Sequence, residues 1–141
     1  MLTRKQLIEE IAADFHAIKN KMHGSMMNGQ KGNITYAQQF ALLVISQTKG
    51  QGIKEISKML YTSSSAATQL VNELVRQKLV TRKTNVQDRR ALDLTISKKG
   101  QAQITLLKKM HQKMMASLFL PLTDKELGHF MVLNKKILNN I

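Results

Sequence analysis

Residues 53–100 read IKEISKMLYTSSSAATQLVNELVRQKLVTRKTNVQDRRALDLTISKKG, and the fold turns on them. The first half has helical spacing. A short helix runs from about Ile53 to Leu60, a break falls at Tyr61-Thr62, and Ser63 caps a second helix that buries Ala67, Leu70, Val71 and Leu74. From Leu79 the period changes to alternation. Leu79 to Thr84 reads as a strand and Asn85 to Arg90 as a polar loop; Leu92, Leu94 and Ile96 then alternate with Asp93 and Thr95. That pattern is a β-hairpin with one buried face. A helix-turn-helix followed by a hairpin wing results.

Outward from this centre, a hydroxyl followed three residues later by Gln or Glu marks further helix starts. Thr3 with Gln6 opens a first helix with a stripe at Leu7, Ile11, Phe15, Ile18 and Met22, and the glycine-containing segment from Gly24 to Gly32 should be a loop. Thr35 with Gln38 opens a helix through Phe40, Leu43 and Val44 that ends near Gly50. Ser97 caps a long helix with a stripe at Ile104, Leu107, His111, Met114 and Leu118, ending before Pro121. Thr123 with Glu126 opens a last helix bearing Leu127, Phe130, Met131, Ile137 and Ile141. The expected fold is mainly α with a small β-hairpin wing (α+β), in one domain over 1–141. Residues of about 35–100 form the central lobe, and 1–30 and 101–141 are outer helices. Each outer helix is apolar on one face, and the simplest burial sets them against each other and a second copy. Leu7, Ile11, Ile18, Phe130, Ile137 and Ile141 are the expected homodimer contacts.

The chain has 141 residues, 43% of them hydrophobic, so a packed core is within reach; with 4% aromatics and nine Met that core should be aliphatic and Met-rich. Zero Cys excludes disulfides, thiolate metal sites and Cys nucleophiles. The longest apolar run, Phe40 to Ile45, is far short of a membrane span, and charges at Arg4, Lys5, Glu9 and Glu10 interrupt the start, so no signal peptide is visible. A soluble cytoplasmic protein is expected.

Lys and Arg number 22 against 9 Asp and Glu, a net +13. Of this, +9 falls between Arg76 and Lys113, where eleven Lys/Arg face only Asp88 and Asp93. Such a field favours polyanions. The polar face of the capped helix presents Ser63, Ser64, Ser65, Thr68, Gln69, Asn72 and Arg76. Short donors and acceptors at a helix N-terminus suit base edges in a major groove, where Gln69 and Asn72 match adenine. An ordinary solvated helix face is the bland alternative, and the neighbouring basic hairpin argues against it. That hairpin supplies Arg82, Lys83, Arg89 and Arg90, with Asp88 spaced to pair with Arg90, and a projecting Arg suits a minor groove. Lys98 and Lys99 stand in the first turn of the following helix, where cations oppose the helix dipole unless a phosphate docks there.

With these residues in view, the resemblance is specific. Ile56 to Leu60, Ser63 to Leu74, Leu79-Val80, Asp88-Arg-Arg-Ala-Leu92 and Ser97-Lys-Lys-Gly100 together resemble the MarR-type (multiple antibiotic resistance) winged-helix regulators. Thr35 to Leu43 and Thr123 to Leu127 resemble the family's second-helix and last-helix openings. The resemblance implies a homodimer on a pseudo-palindromic operator, each recognition helix in a major groove and each wing in a minor groove, with small-molecule effectors releasing double-stranded DNA. It would set Phe15, His16, Tyr36, Phe40 and His111 near an effector pocket. Two positions depart from the pattern: Tyr61 and Lys78 stand where the family usually has glycine.

Other chemistry finds little support. The four His show no metal-ligand spacing, no glycine-rich phosphate loop is present, and carboxylates are few, so neither an enzyme, a metal site nor a cofactor is expected. Met110, Met114 and Met115 suit an adaptable pocket but are more often core filler. The rival reading is a non-specific basic protein, binding nucleic acid or an anionic membrane surface by charge alone.

Overall fold

The computed structural model describes residues 1–28, 34–48, 50, 52–84, 86–87 and 92–141. In chain order the elements are α1 (Arg4–Asn28), α2 (Tyr36–Gln47), α3 (Ile53–Met59), α4 (Ser64–Arg76), β1 (Val80–Thr84), β2 (Leu92–Ile96), α5 (Lys98–Phe119) and α6 (Asp124–Leu138). They fall into two compact units, Met1–Lys108 and Lys109–Ile141.

The expected starts are those observed. Thr35 Oγ1 accepts from the Gln38 amide at 3.3 Å while Gln38 Oε1 accepts from the Thr35 amide at 2.9 Å, closing a capping box. Thr3 with Gln6 and Thr123 with Glu126 make the same reciprocal pair. One boundary differs: α1 does not give way to a loop at Gly24 but continues to Asn28. Among the described residues nothing approaches within 4 Å of the space a Gly24 side chain would fill, so the cost of glycine there is its backbone freedom, about 1 kcal/mol.

The core lies within the first unit. Leu42, Ile56, Val71, Leu74, Val80 and Ile104 are fully buried, where α2, α3 and α4 pack on one another and on the hairpin. Leu70 is half-buried at its edge, as are Leu94 and Ile96 on the inner hairpin face. The core is aliphatic as expected, but it is not Met-rich: Met22, Met59, Met110, Met114, Met115 and Met131 are half-buried or exposed. The hairpin is antiparallel, with Val80 opposite Ile96, Arg82 opposite Leu94 and Thr84 opposite Leu92. This register turns Leu94 and Ile96 inward together.

Buried polar groups are satisfied locally. Gln39 Nε2 donates to the Ile34 carbonyl, Thr48 Oγ1 to that of Val44 and Ser57 Oγ to that of Lys54. Among the described residues no helix is long and apolar enough to cross a membrane.

Candidate nucleic-acid interface

The helix that carries the polar face is pinned at both ends. Ser63 Oγ accepts from the Ala66 amide at 3.1 Å and starts α4 where the sequence indicates. Both α3 and α4 end in the same motif. At α3, the amide of Tyr61 donates to the Lys58 carbonyl and that of Thr62 to the Ser57 carbonyl. At α4, Lys78 donates to Val75 and Leu79 to Leu74. These are paired 5→2 and 6→1 bonds, which require a left-handed residue between them. Tyr61 adopts φ 52° and Lys78 φ 61°, the geometry glycine holds at least cost. The departures from the family pattern therefore leave both turns in their expected conformation. The strain is sustained by two hydrogen bonds and, at α4, by burial of Leu74 with Leu79.

Between these ends, Ala67, Val71 and Leu74 are fully buried, while Ser64, Ser65, Gln69, Asn72 and Arg76 are exposed on the other side. Thr68 is half-buried, and its hydroxyl donates to the Ser64 carbonyl at 2.8 Å. Arg76 is held by Glu73 one turn back, Nε to Oε2 at 3.1 Å with a second, shorter contact through Nη2. The Arg76 guanidinium, then Gln77, hold the Glu73 carboxyl below its ordinary pKa, and Glu73 in turn raises that of Arg76. The i, i+3 spacing of this pair was open to reading in the sequence. Asn72 Oδ1 accepts from Arg82 Nη2 at 2.8 Å, a link from α4 to β1 that no local spacing announces.

Arg82 and Lys83 are exposed on β1 beside α4. Asp88, Arg89 and Arg90, expected at the wing tip, lie outside the described residues.

The start of α5 locks the hairpin to α4. Ser97 Oγ donates toward the carbonyls of Lys78 (2.7 Å) and Leu79 (3.1 Å) while accepting from the Gly100 amide at 2.9 Å. Gly100 is there because nothing larger fits: a Cβ would stand 2.1 Å from the Leu79 carbonyl oxygen. Lys98 is exposed, whereas Lys99 Nζ donates at 3.0 Å to the carbonyl of Gln77, the C-cap of α4. A cation that opposes one helix dipole thus stabilises the C-terminal end of another.

Phe15, His16, Tyr36 and Phe40 are exposed in the first unit, and His111 is exposed in the second. The histidine against Tyr36 is His23, with ring centroids 4.9 Å apart, not His16. Leu7, Ile11, Phe130, Ile137 and Ile141 are exposed and Ile18 is half-buried; α6 buries none of its residues. Phe130 lies 5.5 Å from Phe119, centroid to centroid, in an open apolar cleft of the second unit that Met115, Leu127 and Met131 also line. Among the described residues no group of three His, Asp or Glu could hold a metal ion.

Two helices joined by a tight turn, then a basic antiparallel hairpin pinned to the second helix, define a winged helix-turn-helix protein. The MarR family model matches residues 34–92, from just ahead of the α2 cap to the start of β2. A curated relative, the HTH-type transcriptional repressor MdtR of Bacillus subtilis (strain 168), is 26% identical over 128 residues, spanning 90% of this chain and 83% of the repressor. Among solved structures, the YusO protein of Bacillus subtilis is similar with a TM-score of 0.77 and 24% identity, over 99% of this chain and 100% of that one. A point mutant of MepR from S. aureus, bound to an oligodeoxyribonucleotide, is similar with a TM-score of 0.62 and 22% identity, over 99% of each chain. Over residues 34–92 the chain is thus similar to the MarR family, whose members are DNA-binding transcriptional regulators.

Proposed function

We propose that this protein is a sequence-specific repressor that binds double-stranded DNA as a homodimer on a pseudo-palindromic operator. The observation that carries the reading is the exposed polar face of α4, held between two fixed ends and flanked by Arg82 and Lys83. Such a face is matched to the major groove, and the cations beside it to phosphate. Ser63, Ser64, Ser65, Thr68, Gln69, Asn72 and Arg76 form the base-reading side. Arg82, Lys83, Lys98 and Lys99 supply the surrounding charge, and Arg90, oriented by Asp88 and flanked by Arg89, enters the minor groove. Residues of about 35–100 form the DNA-binding lobe, and 1–30 and 101–141 supply the dimerisation helices. The exposure of Leu7, Ile11 and Phe15 on α1, and of Phe130 and Ile137 on α6, supports a second copy as their cover. A transcriptional repressor among the relatives and an oligonucleotide-bound structural neighbour favour the same reading. Release by a small-molecule effector and a cytoplasmic location rest on family likeness.

The test is to incubate the protein with sheared DNA from its source at physiological salt, alongside Arg90→Ala, and to sequence what each retains. The expected outcome is a two-fold-related motif enriched about 10³-fold or more over background, and lost in the variant with dimer and melting temperature intact. Uniform recovery would replace the reading with a non-specific binder driven by the +9 between Arg76 and Lys113.

A further inference from the structure

The polar face of α4 carries two carboxamides, and they are not equivalent. Gln69 makes no side-chain hydrogen bond among the described residues and keeps both its donor and its acceptor. Asn72, three residues on, has its Oδ1 engaged at 2.8 Å by Nη2 of Arg82. Which end of the amide meets Arg82 is fixed by chemistry. A guanidinium carries donors only, so the atom opposite it is the oxygen, and the Nδ2 group points elsewhere.

We propose, resting on the DNA-binding reading above, that Arg82 is a positioning residue that makes Asn72 a pure donor. Asn72 then favours an edge that offers acceptors only, guanine N7/O6 or thymine O4, over adenine, which it could meet through N7 alone. Adenine recognition by a carboxamide is bidentate: the amide nitrogen donates to N7 while the amide oxygen accepts from the N6 amino group. Here a cation stands on the side of that oxygen and repels an approaching N–H donor. Water competes for the Arg82–Asn72 hydrogen bond in the free protein, but a docked groove excludes water and strengthens it. The tie spans two elements that enter DNA together, since α4 packs against β1. It therefore sets the chemistry of the recognition face by the fold of the wing. Sequence alone assigns Asn72 to adenine, and the tertiary contact reverses that assignment.

Binding-site selection from a randomised duplex pool tests this, run with the full chain as wild type, Arg82→Ala, Asn72→Ala and the double variant. Both side chains are exposed, and a melting curve of each variant checks that it folds. The wild type should favour guanine or thymine at one base pair of each half-site, and Asn72→Ala should erase that preference. Arg82→Ala should move it toward adenine by roughly tenfold, while adding nothing to the base preference when Asn72 is already Ala. A merely electrostatic Arg82 would lower affinity for all sequences alike and leave the preferred base unmoved; that result overturns the proposal and spares the regulator reading. A wild type that selects no sequence at all overturns both.

Discussion

At the scale of single residues, three positions carry constraints that their neighbours in sequence do not explain. Tyr61 and Lys78 hold φ of 52° and 61°, a conformation that costs a residue with a Cβ about 1 kcal/mol or more. Both side chains are exposed, so neither recovers that cost through packing. Tyr61→Gly and Lys78→Gly should each raise the unfolding free energy by up to about 1 kcal/mol in urea titration, the relief being partly offset by the freedom glycine adds to the unfolded chain. A loss of stability in either variant would mean the side chain contributes more than its strain costs. Gly100 is the converse case. With the Leu79 carbonyl oxygen 2.1 Å from the site of a Cβ, Gly100→Ala must push α5 away from β1. It should destabilise by about 1–3 kcal/mol or more, read from the same titration, and should loosen the Ser97 bonds that tie wing to helix.

At the scale of elements, the caps decide where helices begin, and one of them makes a pH prediction. The Glu126 carboxyl sits below its ordinary pKa because the Thr123 amide, and then the Thr123 hydroxyl, donate to it. A carboxylate depressed in the folded state stabilises above its unfolded value, and that contribution disappears as pH falls through the lowered folded value. Acid titration followed by helical circular dichroism should therefore show a loss in the acid range. Glu126→Gln, which preserves a capping box, should flatten that part of the curve. An unchanged curve would show that the acid loss arises elsewhere, with Glu73, held down by Arg76, the next group to test. Ser63→Ala should cost about 1 kcal/mol by removing the α4 cap.

At the scale of the whole molecule, the proposed dimer accounts for apolar surface that a single chain leaves bare. Ile11 is 52% exposed and Ile137 56%. Ile11→Glu and Ile137→Glu should each weaken self-association by about tenfold or more in sedimentation equilibrium, since each sets an unpaired carboxylate in an apolar contact. Dimers that persist with both substitutions present would refute the interface. DNA affinity should fall linearly on a logarithmic salt axis, with a slope that shrinks by about one for each phosphate-binding Lys or Arg removed.

Much of this protein was legible from its residues because the signals are local. A cap is written within four residues: Thr35 with Gln38, Ser63 ahead of Ala66 and Thr123 with Glu126 all form as their spacing dictates. The change from helical to alternating period at Leu79 is likewise a near-neighbour property, and the hairpin follows it. The polar face of α4 is the complement of its buried one. What the sequence could not determine depends on contacts between residues far apart in the chain. The φ of Tyr61 and Lys78 follows from how α3 and α4 must turn to bury Ile56 and Leu74 in one core. The need for Gly100 follows from the approach of β1, and the engagement of Asn72 from Arg82 standing across from it. Periodicity states which side of an element is apolar; only packing brings a particular carbonyl to a particular Cβ, or a guanidinium to a particular amide. Hence the sequence alone determined the helix-turn-helix and its wing, and the tertiary structure decided which groups on them remain free to bind.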